Sequence, residues 1–150
     1  MKAPTNKEAA ALKIAQAFVR IVPLASDLQM ALEDVAEASV RMSLPYNERL
    51  VGDPETGVVH GGVITALLDT CCGAAVLIHP ETGISTATID LRIDYMRPAP
   101  PNKKLMATAK CYRMTRYVAF VRATAYTVSE DEPVATAHGA FTVERRTGIT

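Results

Sequence analysis

Apolar residues near the start of the chain recur at helical spacing. They occupy positions 10, 14, 17, 18 and 21, which share one face of a helix. Thr5 and Glu8 stand three residues apart, the spacing of a capping box in which each side chain bonds to the other residue's free backbone N–H. Pro23 interrupts the pattern. The sequence therefore predicts an N-terminal helix over about residues 6–22.

Six later segments alternate between apolar and polar residues, which is typical of strands with one buried face. A polar break at Asp34–Glu37 separates the first two, and a loop rich in proline and glycine is predicted over 45–59. Connections too short for parallel crossovers join the last four, so we expect them to be antiparallel. The predicted strands cover about residues 28–33, 38–44, 87–95, 105–114, 118–128 and 134–143.

Residues 60–79 show no alternation and read as a helix that is apolar on nearly all sides. Such a helix must be buried, and a flat sheet covers too little of its surface. We therefore expect an α+β fold in which a curved antiparallel sheet wraps around this helix. No linker or repeat divides the chain, so residues 1–150 are predicted to form one domain, with a core over about 28–145.

Charge and composition exclude several classes of partner. The chain has 150 residues with 16 basic and 16 acidic side chains, so its formal net charge is zero. Nucleic acids and anionic membrane surfaces attract proteins with a basic excess, and neither is expected here. Asp69 interrupts the longest apolar stretch, so no membrane span is predicted. Three cysteines and no signal-peptide pattern favour a reduced, cytoplasmic protein.

Asp69 is the only charged residue between Gly61 and Ile78, and it falls in the middle of the predicted helix. An isolated carboxylate in an apolar setting is costly unless it is paired or hydrogen-bonded. It is therefore a candidate catalytic base. The alternative is that Asp69 merely lies on a narrow solvent-facing stripe with Thr65 and Gly73.

The His60-Gly61-Gly62 sequence stands where the buried helix begins. Unsatisfied N–H groups at a helix N-terminus carry partial positive charge, and glycines let a ligand approach them closely. Such a site can polarise a carbonyl group. Asp69 lies nine residues beyond His60, or roughly 13 Å along a helix. The two features can cooperate if one subunit supplies the helix start and another the carboxylate.

The segment from His60 to Asp69, HGGVITALLD, resembles the signature of hotdog-fold acyl-CoA thioesterases of the phenylacetyl-CoA (PaaI-like) branch. The resemblance continues through Thr88–Pro98, TIDLRIDYMRP, and covers about residues 28–144 in element order. It implies a hotdog fold and hydrolysis of acyl-CoA, with coenzyme A as part of the substrate and neither metal nor other cofactor. It also implies a homodimer, or a tetramer built from two dimers, with sheets paired edge to edge and the site between subunits.

The resemblance also assigns roles to individual residues. Asp69 would be the nucleophile or the base that activates water, and the N–H near Gly62, at the helix start formed with Gly61, would polarise the thioester carbonyl. His60 would hold the loop or contact the acyl carbonyl. Thr88 occupies the place of a small hydroxyl residue that orients the water, although a plain strand residue fits there equally.

Two further assignments are less direct. Relatives often carry an asparagine a few residues before the His-Gly-Gly sequence, whereas here Asn47 stands thirteen residues upstream. Either Asn47 folds back to position the water, or that role is absent or filled differently. Arg116 beside Tyr117 is a candidate contact for the phosphate or adenine of coenzyme A, or simply a solvated charge at a strand end.

Three other functions stay open on the sequence alone. One is hydration or dehydration of an acyl thioester, with His60 and Asp69 as an acid–base pair. The second is non-catalytic binding of acyl-CoA or fatty acid. The third is a structural homo-oligomer in which Asp69 only makes interface hydrogen bonds.

Overall fold

Three α-helices and eight strands account for most of the residues that the computed structural model describes, which are 5–81 and 85–144. The helices are α1 (Asn6–Ile21), α2 (Pro23–Asp27) and α3 (Gly61–Leu77). The strands are β1 (Ala31–Ala36), β2 (Ser39–Leu44), β3 (Val51–Asp53), β4 (Val58–Val59), β5 (Thr88–Tyr95), β6 (Leu105–Met114), β7 (Val118–Tyr126) and β8 (Ala135–Thr142).

Six strands form one antiparallel sheet in the order β1-β2-β6-β7-β8-β5, and its inner face packs on α3. Eleven of the 17 residues of α3 are buried, which confirms the prediction of a helix enclosed on nearly all sides. Small side chains on the sheet's inner face let the strands approach the helix closely. These include Ala107, Ala109, Ala119, Ala125, Ala135 and Ala137, all at most 1% exposed.

Strand β5 lies at an edge of the sheet and pairs only with β8 among the described strands. The segment 96–104 carries the chain from this edge to β6, so consecutive strands are not neighbours here. Two apolar side chains of the edge strand, Ile89 and Tyr95, are 56% and 52% exposed. An edge with unpaired backbone groups and apolar side chains is a surface on which another strand can pair.

The N-terminal helix begins and ends close to the prediction. Thr5 and Glu8 make both bonds of the capping box. Pro23 interrupts the helix as expected, but it also opens α2, because a proline fits the first turn of a helix without losing a hydrogen bond. No helix within the described part of the chain has the length and apolarity needed to cross a bilayer.

Two predicted boundaries were wrong. The first strand begins at Ala31 and continues through the supposed polar break, because Leu28 ends α2 and a bulge between Leu32 and Asp34 disturbs the alternation. The predicted loop at 45–59 contains a 3-10 turn at Glu48–Leu50 and the short β3–β4 hairpin, whose elements are too short to show a period.

Gly139 holds β5 close to β8, and we expect Gly139→Ala to loosen that pairing. The added methyl would lie 2.8 Å from the carbonyl oxygen of Asp90 and 2.9 Å from Cδ1 of Leu91. Overpacking of this kind costs about 1–3 kcal/mol, which lowers the melting temperature by roughly 2–12 °C at this chain length.

Thermal unfolding followed by circular dichroism, at matched protein concentration, measures the change. Gly73→Ala is the matched control, because its methyl would meet Phe18 at 3.4 Å, an ordinary contact. Equal melting temperatures for Gly139→Ala and the parent protein would show that β8 does not hold β5 in this way.

Candidate active site

One face of α3 remains uncovered by the core of the sheet and carries Thr65, Asp69 and Gly73. These residues are spaced four apart and therefore lie in a row along the helix. Thr65 and Asp69 are half-buried and Gly73 is buried, so this row differs from the solvent-facing stripe that was the alternative interpretation. Two members contact the edge strand β5 and the third contacts α1: Thr65 contacts Tyr95, Asp69 contacts Thr88, and Gly73 faces the ring of Phe18.

Asp69 and Thr88 form the polar centre of this row. The Thr88 hydroxyl donates to Asp69 Oδ1 at 2.7 Å, which joins the middle of α3 to the start of β5. Asp69 is half-buried, and none of the ion pairs found among the described residues includes it. The Thr88 hydroxyl therefore orients the carboxylate.

At the start of α3, His60 is the N-cap residue. Its Nδ1 accepts a hydrogen bond from the Gly62 N–H at 2.9 Å, so a neutral His60 carries its proton on Nε2. The imidazole is exposed. A substrate carbonyl that takes the Gly62 N–H must share it with the imidazole or displace the imidazole.

Tyr95 fixes the first turn of α3 to the end of β5. Its hydroxyl lies 2.5 Å from Thr65 Oγ1 and donates to the Gly61 carbonyl at 3.1 Å. Tyr95 belongs to the Thr88–Pro98 motif, but no role was predicted for it. Its place at the end of an alternating segment was the available signal, yet nothing in the spacing indicates contact with Gly61.

A cavity of about 170 Å³ opens beside Asp69 and Thr88. Its wall is about half polar and half apolar, and it includes a residue of α1 as well as residues of the core. Its lining includes Phe18, Val22, Gly73 and Phe141, together with Asp69 and Thr88. Helical spacing predicted only that Phe18 lies on the apolar face of a helix. Spacing does not show which part of the protein that face covers.

The structure does not join Asn47 to this cluster within one chain. Its Oδ1 accepts from the Arg49 N–H at 2.9 Å and caps the 3-10 turn. Asn47 is exposed, and no bond links it to Asp69 or His60 in the described parts of the chain.

Arg116 and Tyr117 lie in the turn between β6 and β7, with Arg116 Cζ 5.0 Å from the centre of the Tyr117 ring. The turn is at the same end of the sheet as Thr88, because Ala119 pairs with Phe141 and Phe141 pairs with Thr88. Both side chains are exposed and available to a ligand.

The cysteines of α3 are part of the core. Burial raises the pKa of the Cys71 thiol to about 12 and that of Cys72 well above its usual value, where the nearby Asp69 carboxylate adds to the shift. Neither thiol is therefore ionised near neutral pH, and neither serves as a nucleophile. Within residues 5–81 and 85–144, no group of His, Cys, Asp and Glu side chains is arranged to hold a metal ion.

Comparison with known proteins identifies relatives over most of the chain. A protein of Halobacterium salinarum, whose name provisionally assigns it as an esterase, is 35% identical over 143 residues, or 90% of this chain and 93% of the relative. The medium/long-chain acyl-CoA thioesterase YigI of Salmonella typhimurium is 29% identical, over 81% of this chain and 86% of its own length.

A solved structure shares the fold. The PaaI protein of the Escherichia coli phenylacetic acid degradation operon superposes with a TM-score of 0.82, over 93% of this chain and 96% of that one, at 18% identity. This confirms the hotdog architecture expected from the two motifs. The family described as "Thioesterase superfamily" matches residues 56–134, which include α3, β5 and the Asp69–Thr88 pair. The chain belongs to the thioesterase superfamily.

Proposed function

We propose that this protein hydrolyses acyl-CoA thioesters to the free acid and coenzyme A, with Asp69 at the reaction centre. The observation that carries the proposal is the Asp69–Thr88 pair, a hydroxyl-oriented carboxylate that lines a cavity bordered on its other side by the rings of Phe18 and Phe141. A cavity of this kind suits an acyl group, and the carboxylate stands where the acyl group would meet its carbonyl. The relatives named as acyl-CoA thioesterases support the same substrate class.

The chemistry needs a base or nucleophile and a stabiliser for the oxyanion. As a base, Asp69 takes a proton from water, the water oxygen attacks the carbonyl carbon, the C–S bond breaks, and the coenzyme A thiolate leaves and gains a proton. As a nucleophile, Asp69 displaces the thiolate itself, and water then hydrolyses the resulting anhydride. In both routes the Gly62 N–H receives the developing negative charge, and Thr88 holds Asp69 in position.

We further propose that each site is built from two chains. The start of α3 and Asp69 are roughly 13 Å apart along one helix, too far to act on one carbonyl group. The exposed apolar edge at β5 offers the surface on which a second copy pairs, either in a homodimer or within a dimer of dimers. A paired copy would bring its own helix start to the neighbouring Asp69.

The exposed Arg116 and Tyr117 are the proposed contacts for coenzyme A. A guanidinium group binds phosphate well, and an aromatic ring can stack on adenine. Their place at the Thr88 end of the sheet supports this assignment. Asn47, or Thr88 itself, is the proposed partner of the attacking water. Three unpaired, buried cysteines are consistent with the expected cytoplasmic location.

Asp69→Asn should abolish most of the thioesterase activity. The change keeps the size and most hydrogen bonding of the side chain but removes its basicity, so we expect kcat to fall at least roughly 10²–10³-fold. Release of free thiol from a panel of short, medium, long and aryl acyl-CoA substrates measures the loss, and size-exclusion chromatography confirms that assembly is unchanged.

Asp34→Asn is the matched control. It makes the same chemical change on β1, at the opposite edge of the sheet, where Asp34 forms an exposed pair with Arg41 and accepts a local hydrogen bond from the Val35 N–H. Equal rates for Asp69→Asn and the parent protein would contradict the proposal. Tight acyl-CoA binding without turnover in the parent protein would instead indicate a binding function. Conversion of an enoyl thioester to its hydrated product would indicate a hydratase.

Thr88→Val should lower activity by a smaller amount. Valine keeps the branched shape but removes the hydroxyl that donates to Asp69 at 2.7 Å. A hydrogen bond to a charged group contributes about 1.5–3 kcal/mol, and the smaller figure suits an accessible pair, so kcat should fall roughly tenfold. Thr88→Ser retains the hydroxyl and should restore most of the rate in the same thiol-release assay. If Thr88→Ser were as slow as Thr88→Val, the hydroxyl would not be the source of the effect.

A further inference from the structure

The N-terminal helix α1 lies outside the sheet that wraps α3, but it reaches the cavity beside Asp69. It packs on α3 and β1, and both Phe18 in its last turn and Val22, the residue that caps its C-terminal end, are half-buried against the core. Both side chains line the cavity that Asp69 and Thr88 also line. The helix therefore forms part of the wall of the acyl site that the proposed function requires.

The Phe18 ring lies over Gly73, one turn of α3 beyond Asp69. A methyl group placed on Gly73 would be 3.4 Å from Phe18 Cζ and 4.0 Å from Phe141 Cε1, so both rings border the space above this glycine. The absent side chain at Gly73 leaves that space open, and Phe18 closes it from the outside.

The direction of the acyl group follows from this arrangement. The reacting carbonyl must lie beside Asp69, so an acyl chain entering the cavity passes along the helix toward Gly73, roughly 6 Å away for four residues. There it meets the Phe18 ring. A cavity of about 170 Å³ is close to the roughly 150 Å³ space that accommodates benzene in a protein core, which is room for about six carbon atoms.

We propose that the Phe18 ring closes the far end of the acyl pocket, as its end stop, and thereby sets the longest acyl chain that the enzyme accepts. The inference rests on the proposed thioesterase function and deepens it. It names aliphatic acyl chains as the substrate class and α1 as the element that limits their length. Phe18 determines specificity through contact with the distal end of the acyl group, and it takes no part in bond breaking.

The test compares Phe18→Ala with the parent protein on a series of saturated acyl-CoA substrates of increasing length. Removing the ring opens the cavity toward solvent between α1 and α3, so substrates longer than the parent's limit should gain in kcat/KM relative to short ones. The expected gain is roughly fourfold for each further methylene that becomes buried. The readout is the ratio of kcat/KM for long and short substrates, because Phe18 belongs to the wall of the proposed acyl site and its loss can change the rate on every substrate.

Two further variants separate pocket length from stability. Ile21→Ala is the matched control on the same helix, because Ile21 is 74% exposed and does not line the cavity; its length profile should equal the parent's. Gly73→Ala adds a methyl to the pocket floor at an ordinary contact distance and should shift the profile toward shorter chains. Because alanine favours a helix interior over glycine, this variant should melt no lower than the parent.

The outcomes distinguish this inference from the function on which it rests. Turnover in the parent protein, with superimposable length profiles for Phe18→Ala, Gly73→Ala and Ile21→Ala, would overturn the role of Phe18 and leave the thioesterase proposal intact. Absence of turnover with every substrate would overturn the thioesterase proposal. In that case the dissociation constants of the same acyl-CoA series, measured by titration calorimetry, test the pocket directly: unchanged length dependence in Phe18→Ala would contradict the end stop.

Discussion

Helix α3 needs an apolar partner on nearly every side, and the rest of the structure follows from that need. Its 17 residues include a single charge, so water is a poor environment for most of its surface. A sheet of six strands curves around it, and alanines on the inner face of β6–β8 let the strands come close. One row along the helix faces the edge strand β5 and the N-terminal helix, and the candidate active site lies in that row.

The row of Thr65, Asp69 and Gly73 places three parts of the candidate site on one helix. At the N-terminal end, Tyr95 holds the turn whose backbone N–H groups carry positive charge. In the middle, Thr88 holds the carboxylate. Beyond it, the absent side chain of Gly73 leaves room under Phe18. Because the helix is rigidly buried, the spacing between these three points is fixed, as a preorganised site requires.

The regular elements of this fold were predictable because their hydrophobic periods are strong. The capping box at Thr5, the apolar helix and the bounds of β6 all follow from local chemistry that is visible in the sequence. The bulge near Asp34 and the β3–β4 hairpin were not predictable, since one breaks the period and the other is too short to have one. The edge position of β5 was also hidden, because strand order depends on long-range pairing that no local pattern encodes.

The candidate site likewise contains residues that the sequence indicated and contacts that it did not. Asp69 stood out as a lone charge in an apolar helix. The family resemblance suggested Thr88 as a hydroxyl residue that orients the water, but its hydrogen bond to Asp69 was not predicted. The contacts of Tyr95 and Phe18 could not be foreseen, since each joins segments that are distant in the sequence: Phe18 and Gly73 are held together only by the packing of α1 on α3. Asn47 is the opposite case. The family resemblance suggested it as a residue that positions the water, and within one chain it caps a local turn.

The central claim, that one chain's Asp69 acts with the partner's helix start, is tested most directly by mixing two inactive variants. Asp69→Asn removes the carboxylate, and Gly62→Pro removes the N–H in the first turn of α3, where no intrahelical bond is lost. The proline ring would also displace the His60 imidazole, whose Nδ1 lies 3.0 Å from the position of the new Cβ, so size-exclusion chromatography must first show that both variants assemble like the parent. After subunit exchange, a shared site is intact once in each mixed dimer, so activity should return to about a quarter of the parent value for random pairing of two-fold dimers. Exchange confirmed by mass labelling, with no recovery of thiol release, would contradict the two-chain site.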